Sequence, residues 1–336
     1  MSAITLPLSE ISEYEAIKKD IKKRAGIVEV NGCSDSQKLH LAYGLSENYP
    51  NTIIVTWNEQ RANDILSDYS YYNKEIKYYP ARDLIFYQAD IHGNLLPAKR
   101  LEALAPLFEG SGAVIVTTFD ALMEELAPFE ALLSHILSLS AGDTVDLSDL
   151  ERELTTLGYG RNYQVEDKGQ FSIHGGIIDI FPLTEVNPVR IELWGDEIDS
   201  IRSFDVLTQR SLEKLDSFTI YPASEIILGE EEIEEGLYKI KTEGEAFEEK
   251  LRKEFLTKEA FSVKNAVTEI TEHIRNIGIE GCNIESYLNY FYDETESLLS
   301  YFNKEETLIL LDEPARLLER GQVIEEEFRD SMKNRL

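Results

Sequence analysis

Two short stretches, far apart in the chain, carry residue types suited to nucleotide chemistry. The run Gly32-Cys33-Ser34-Asp35-Ser36-Gln37-Lys38-Leu39 sets Gly32 and Lys38 at the spacing of a phosphate-cradling loop, G-x-x-x-x-G-K-[ST]. In such a loop the second glycine lets backbone N–H groups wrap the phosphates, and the final hydroxyl holds Mg²⁺. Here Gln37 stands where that glycine is needed and Leu39 replaces the hydroxyl. A leucine cannot ligate a hard cation, which takes oxygen ligands. The same residues also suit a plain turn opening a helix. The second stretch is Asp312-Glu313, closing the apolar run Thr307–Leu311. An acidic pair at a strand end can hold Mg²⁺-bound water, though a solvated strand end has the same composition. Read together, the two stretches suggest a nucleotide-hydrolase core that has lost its metal ligand. No ATP turnover, ATP cofactor or catalytic residue is expected from them. The five histidines are scattered, without C-x-x-C or H-E-x-x-H spacing, so no metal site is expected either.

Composition narrows the function classes. The 336 residues carry 33 Lys+Arg against 63 Asp+Glu, a formal charge of −30. So acidic a chain is a poor stand-alone nucleic-acid binder, because phosphate contacts need clustered cations; DNA contact is expected to be weak or indirect. At 43% hydrophobic residues it can bury real cores, and its length suits two or three domains. Cys33 and Cys282 give no disulfide framework and fit a reducing compartment. The start shows no basic-then-apolar leader, and the apolar runs are strand-sized, so a cytoplasmic, non-membrane location is expected.

The elements that must position these residues alternate at first. Gly26–Val30 reads as a short strand before the loop, Ser36–Glu47 as a helix, Thr52–Trp57 as a strand and Glu59–Tyr69 as a helix. Ile76–Tyr79 and Ala113–Thr118 read as further strands around a helix at Lys99–Phe108, and Asp120 suits an N-cap for a helix running to about Pro128. Alternation of this kind predicts a parallel sheet covered on both faces, an α/β core. The aromatics Tyr69, Tyr71, Tyr72, Tyr78 and Tyr79 have few basic residues interleaved and acidic ones close by, and read as packing residues. After residue 142 the spacing shortens. A helix at Leu147–Leu157 leads into β signals at Tyr163–Glu166, Gln170–His174, Ile177–Phe181, Val189–Trp194 and Ser200–Asp205, parted by Gly-rich turns. The tail has the acidic run Glu230–Glu235, read as solvated surface, and helices at Gly244–Thr257 and Ser262–Ile277. Its apolar strand Thr307–Leu311 is expected to return to the first sheet. The expected division is residues 1–142, an α/β domain; 143–225, an inserted α+β domain; and 226–336, a helical remainder rejoining the first.

The middle segment holds the most specific residues. Gly158-Tyr159-Gly160-Arg161 is followed by Asp179-Ile180-Phe181-Pro182, by the run R-I-E-L-W-G-D-E-I-D-S-I-R at residues 190–202, and by F-D-V-x-T-Q-R at 204–210. These runs resemble the domain shared by the excision-repair protein UvrB and the transcription-repair coupling factors (the Mfd family). Tyr79-Pro80-Ala81-Arg82-Asp83, Arg100-Leu101-Glu102 and Val114–Thr118 are similar to the amino-terminal region of the coupling factors. UvrB itself keeps an intact phosphate loop and a long Tyr-rich hairpin. Here the loop is degenerate, and Tyr87–Asn94 leaves no length for such a hairpin. The resemblance implies a fold: a degenerate RecA-like, P-loop-like parallel-sheet domain, discontinuous in sequence, with an insertion resembling UvrB domain 2.

It also implies a role. In the family this middle domain binds UvrA, the damage-sensing subunit, and packs against the carboxy-terminal part of the full-length protein. RNA polymerase is contacted through other domains. The chain is therefore expected to be a non-catalytic module recruiting UvrA to stalled transcription; the alternative is a UvrB-type domain with residual ATP and DNA binding. Carried over by position, the UvrA contacts are Arg161, Arg190, Glu192 and Leu193, with His174 where the family often has arginine. That last change removes a permanent charge, so binding would weaken or gain pH dependence. Arg161 could instead cap a turn or pair with a nearby acid, and Arg190 and Glu192 could be an ordinary cross-strand ion pair. Trp194 and Phe181 are read as core.

Overall fold

The computed structural model describes residues 4–23, 26–82, 95–279, 282 and 284–335. The strands are β1 (Asn51–Thr56), β2 (Lys77–Tyr79), β3 (Val114–Thr118), β4 (Leu137–Ser140), β5 (Gly160–Arg161), β6 (Gln170–His174), β7 (Ile177–Phe181), β8 (Val189–Trp194), β9 (Glu197–Phe204), β10 (Ser211–Leu215), β11 (Ser217–Ile220) and β12 (Thr307–Leu311). The helices are α1 (Ser12–Lys22), α2 (Asp35–Ser46), α3 (Glu59–Tyr69), α4 (Leu95–Phe108), α5 (Phe119–Leu122), α6 (Phe129–Leu133), α7 (Leu147–Thr156), α8 (Glu230–Lys253), α9 (Thr257–Ile277), α10 (Leu288–Phe291) and α11 (Pro314–Arg335). The protein is thus α/β, with one parallel sheet and further antiparallel ones. It divides into two compact units, the first from Met1–Phe86, Glu102–Glu124 and Leu298–Asp330, the second centred on Glu125–Ser297.

In the first unit the strand order is β12-β1-β3-β2, with every pairing parallel. β1 is buried along its whole length, as a continuous apolar run between two neighbours requires. The expected return of Thr307–Leu311 is seen directly: Thr52 pairs with Leu308 and Ile54 with Leu310. Helices α2 and α3 cover one face through Leu39, Ala42, Ala62, Ile65 and Tyr69, which meet Ile54 and Val116. Tyr69, Tyr78 and Tyr79 are buried here, whereas Tyr71 is exposed. α11 closes against α5, where Gly321 lies under the Phe119 ring and Arg320 forks onto Asp120.

Two expectations fail in this unit. Gly26–Val30 is irregular rather than a strand, with Gly26 at φ +99° and Ile27 fully out in solvent. Both edges of β1 are already taken by β12 and β3, so no pairing site beside it remains. Asp120 is not an N-cap. Thr118 accepts the Ala121 N–H and caps the one-turn α5, while Asp120 takes Arg320 instead.

The second unit contains a six-stranded sheet, β10-β9-β8-β7-β6-β5, antiparallel except at its β5–β6 edge. Its buried face carries Phe171, Ile178, Ile180, Val189, Ile191 and Ile201. Tyr163–Glu166 forms no strand: the Gln170 side chain accepts the Glu166 and Asp167 N–H groups and bends the chain there. The glutamates of the acidic run Glu230–Glu235 are exposed, and they form the first turns of α8, where Glu230, Glu231 and Glu232 complement the positive end of the helix dipole. α8 and α9 form a helical hairpin. Leu237, Ile240 and Ile274 bury their side chains with Leu288, Phe291 and Tyr292. Two glycines on α8 permit the close approach. A Cβ at Gly236 would lie 2.2 Å from the Phe291 ring, and one at Gly244 would lie 2.4 Å from Val267.

Overpacking of this order costs about 1–3 kcal/mol. Gly236→Ala should therefore lower the urea midpoint of the second unit, despite the better helix propensity of alanine. Burial also pushes the Cys282 thiol up to about 11. The thiolate is the reactive form, so Cys282 should resist iodoacetamide at pH 8 and become alkylated as the pH nears 11, as read by mass spectrometry.

Candidate partner interface and a closed phosphate loop

The loop Gly32–Leu39 begins a helix, and the residues at its second-glycine, lysine and hydroxyl positions are each engaged within the chain. Ser34 caps α2, and Gln37 completes a capping box by accepting the Ser34 N–H at 2.9 Å. The residue in the glycine position thus occupies a backbone donor that would face the anion. Leu39 points into the core and is 5% exposed. Lys38 reaches across to Asp312 at 3.5 Å and to the Glu313 carboxylate, both of which hold its pKa above the usual lysine range. Arg61 of α3 donates to Asp312 and Asp35, each at 2.9 Å, and Thr56 at the end of β1 donates to Asp312 at 3.3 Å. Arg61 and Arg316 flank the Trp57 ring, with Arg316 4.5 Å from its centroid. Glu313 reaches Lys38 from a left-handed backbone, φ +54°. The group of Lys38, Arg61 and Arg316 with Asp35, Asp312 and Glu313 is neutral. Lys38, Asp312 and Glu313 thus form an internal ion-pair network, while Gly32 stands outside it on the turn before α2, at φ +83°.

The residues carried over from the UvrB-like resemblance lie in the second unit and are only partly brought together. On β8, Arg190, Glu192 and Trp194 alternate onto one face, opposite the buried Val189 and Ile191. Arg190 makes a two-pronged pair with Asp179, 2.7 Å at both contacts, and donates to Gln209 at 2.9 Å. Its guanidinium also stacks 4.5 Å from the Phe204 centroid, and the Asp179 contact raises its pKa. Glu192 accepts from Ser200 at 2.9 Å and pairs with Arg202. Register aligns His174, Ile177 and Glu192 in one row across β6, β7 and β8. The His174 Nε2 donates to the Tyr163 carbonyl, and the two rings meet edge-on at 4.8 Å. Leu193 is half-buried on the other face, its N–H donating to the Gly176 carbonyl at 2.7 Å. Arg161 stands apart: it is in register with the buried Phe171 and pairs with Glu151 of α7.

Phe181 is core at 7% exposure, but Trp194 is not. It is 83% exposed. The signal was present in the sequence, since a period of two from Arg190 through Glu192 carries Trp194 onto the polar face. Residues 87–94, read above as too short for a hairpin, lie outside the described residues. Among the described residues no cluster of His, Cys, Asp or Glu could hold a metal ion, and no helix is long and apolar enough to cross a membrane.

The lock around Asp312 makes a measurable claim. Its side chain is 8% exposed and that of Arg61 is 14% exposed. Removing one partner of such a pair leaves an uncompensated charge, costing about 3 kcal/mol. Asp312→Ala should lower the chemical-denaturation midpoint of the first unit by a corresponding amount, while Glu313→Ala, at an exposed site, should cost about 1 kcal/mol or less.

Comparison with known proteins bears on the second unit above all. Residues 137–226 match the family model described as the UvrB interaction domain. The transcription-repair-coupling factor of Bacillus subtilis is 32% identical over 326 residues, covering 91% of this chain and 27% of that protein. Those of Staphylococcus haemolyticus and Staphylococcus aureus are each 29% identical, over 91% and 95% of the chain and 26% and 27% of theirs. The chain spans about a quarter of the length of the curated relatives it matches. Over nearly its whole length the chain therefore corresponds to the amino-terminal, UvrB-like region of the transcription-repair-coupling factors, with a UvrB interaction domain at residues 137–226.

Proposed function

We propose that this chain is a non-catalytic interaction module of transcription-coupled repair, whose second unit recruits UvrA. The observation that carries this reading is the UvrB interaction domain at residues 137–226, with Glu192, His174 and Trp194 on one sheet face. On this reading Arg161, His174, Arg190, Glu192 and Leu193 belong to the contact region. Arg190, held by Asp179 and Gln209, acts by fixing the β7–β8 surface; Arg161 contributes from the α7 side. The first unit is a RecA-like sheet domain that has lost nucleotide binding, and residues 143–225 are an insertion resembling UvrB domain 2. RNA polymerase is engaged by parts of the protein beyond this region, one of which also covers the UvrA surface in the resting state. The work is cytoplasmic. The alternative, residual ATP and DNA binding of the UvrB type, is disfavoured by the engagement of Lys38 with Asp312 and Glu313 and by the burial of Leu39.

Calorimetric titration with purified UvrA tests the proposal. The wild-type chain should bind without added nucleotide. Arg161→Ala and Glu192→Ala should each weaken binding by about 1 kcal/mol, the scale of a contributing interface residue, with melting curves unchanged. ATP titrated into the same chain should give no saturable heat. Absence of UvrA binding by the folded wild type would remove the reading.

A further inference from the structure

The charged residues assigned to the interface are already satisfied within the chain. Arg190 holds Asp179 and Gln209, Glu192 holds Arg202 and Ser200, and Arg161 holds Glu151. A partner that competes for them must break existing ion pairs, and the gain is small. The same sheet face offers something unengaged by comparison. Trp194 is 83% exposed, Tyr163 is 86% exposed, and Ile177 is 38% exposed on the row that joins His174 to Glu192. Tyr163 lies edge-on to His174 at one side of that row, and Trp194 follows Glu192 along β8 at the other. Both ends are set by two-residue turns, Gly175-Gly176 between β6 and β7 and Gly195-Asp196 between β8 and β9. The first turn is tied to β8 by the Leu193 N–H, which donates to the Gly176 carbonyl. Beside Trp194 stand the exposed carboxylates Asp196, Glu197 and Asp199.

We propose that Trp194, flanked by Ile177 and Tyr163, is the apolar anchor of the partner interface, and that it enters a pocket on UvrA with an apolar floor and a basic rim. This rests on the UvrA reading above and adds the residue that dominates affinity. Exposed Trp and Tyr on a rigid sheet are the residue types that become interface hot spots once buried. The carboxylates beside Trp194 choose a basic rim over an acidic one. Arg190 acts as a positioning residue, holding β7 and β8 together beneath the anchor through Asp179.

The test is a calorimetric titration of UvrA with the full 336-residue chain and with Trp194→Ala, Trp194→Phe and Glu197→Lys. Because Trp194 is exposed, all three should melt with the wild type. Trp194→Ala should raise Kd about 30-fold or more, in the hot-spot range. Trp194→Phe should stay within about fivefold of wild type, and Glu197→Lys should weaken binding with a reduced on-rate. If the wild type binds UvrA and Trp194→Ala binds within about threefold of it, the anchor is wrong and the UvrA reading survives. If the folded wild type does not bind UvrA, both fall. Sedimentation velocity closes the remaining case: a wild-type dimer that Trp194→Ala dissociates, with UvrA affinity unchanged, would make this strip a contact between copies and overturn the proposal.

Discussion

The Asp312 carboxylate is a meeting point for segments that are far apart in the chain. It follows β12, which completes the parallel sheet from the other end of the sequence, and it is held by Lys38 from α2, Arg61 from α3 and Thr56 from β1. Parallel pairing of β12 with β1 closes a very long loop, and contacts of such separation are formed late and at an entropic cost. A carboxylate that gathers three donors from the other side of that closure locks β12 in its register. In a working nucleotide site the same lysine and acidic pair would be kept apart by phosphates and Mg²⁺. Here Lys38 pairs with both acids and Arg61 with Asp312, so the cluster works as a structural clasp.

Gln37 and Leu39 each remove one requirement of phosphate binding and each supply something to stability, Gln37 as the far half of a capping box and Leu39 as a core side chain. Neither substitution is a passive loss. Gln37 makes the α2 terminus a better helix start, and Leu39 anchors that helix to the sheet.

Legibility in the sequence followed the strength of local constraint. The buried β1, the return of β12 and the meander β6–β9 were readable because their apolar periodicity admits one face each. Gly26–Val30 has the composition of a strand but pairs with none of the sheet's strands, a fact that no local window contains. Glu230–Glu235 is legible as solvated surface, but its helix is hidden by the crowding of like charges, although helix ends accept carboxylates and the apolar stripe of Ile233, Leu237 and Ile240 runs straight through. Within the candidate interface, the identities of Arg190 and Glu192 were evident, but their partners were not. Asp179 and Arg202 become visible only once cross-strand register is known. Trp194 was misplaced because residue type was allowed to outrank alternation along β8.

The two-residue turns at Gly175-Gly176 and Gly195-Asp196 have a consequence for how tightly such a surface can hold anything. A binding residue on a long loop gives up backbone freedom at the moment of contact, and that loss is subtracted from the affinity. Ile177 and Trp194 sit on strands whose backbones were immobilised when the sheet folded, so only side-chain rotamers remain to be frozen. Association can then proceed by docking of a preorganised surface, with the entropic cost of shaping it already borne in folding rather than in recognition.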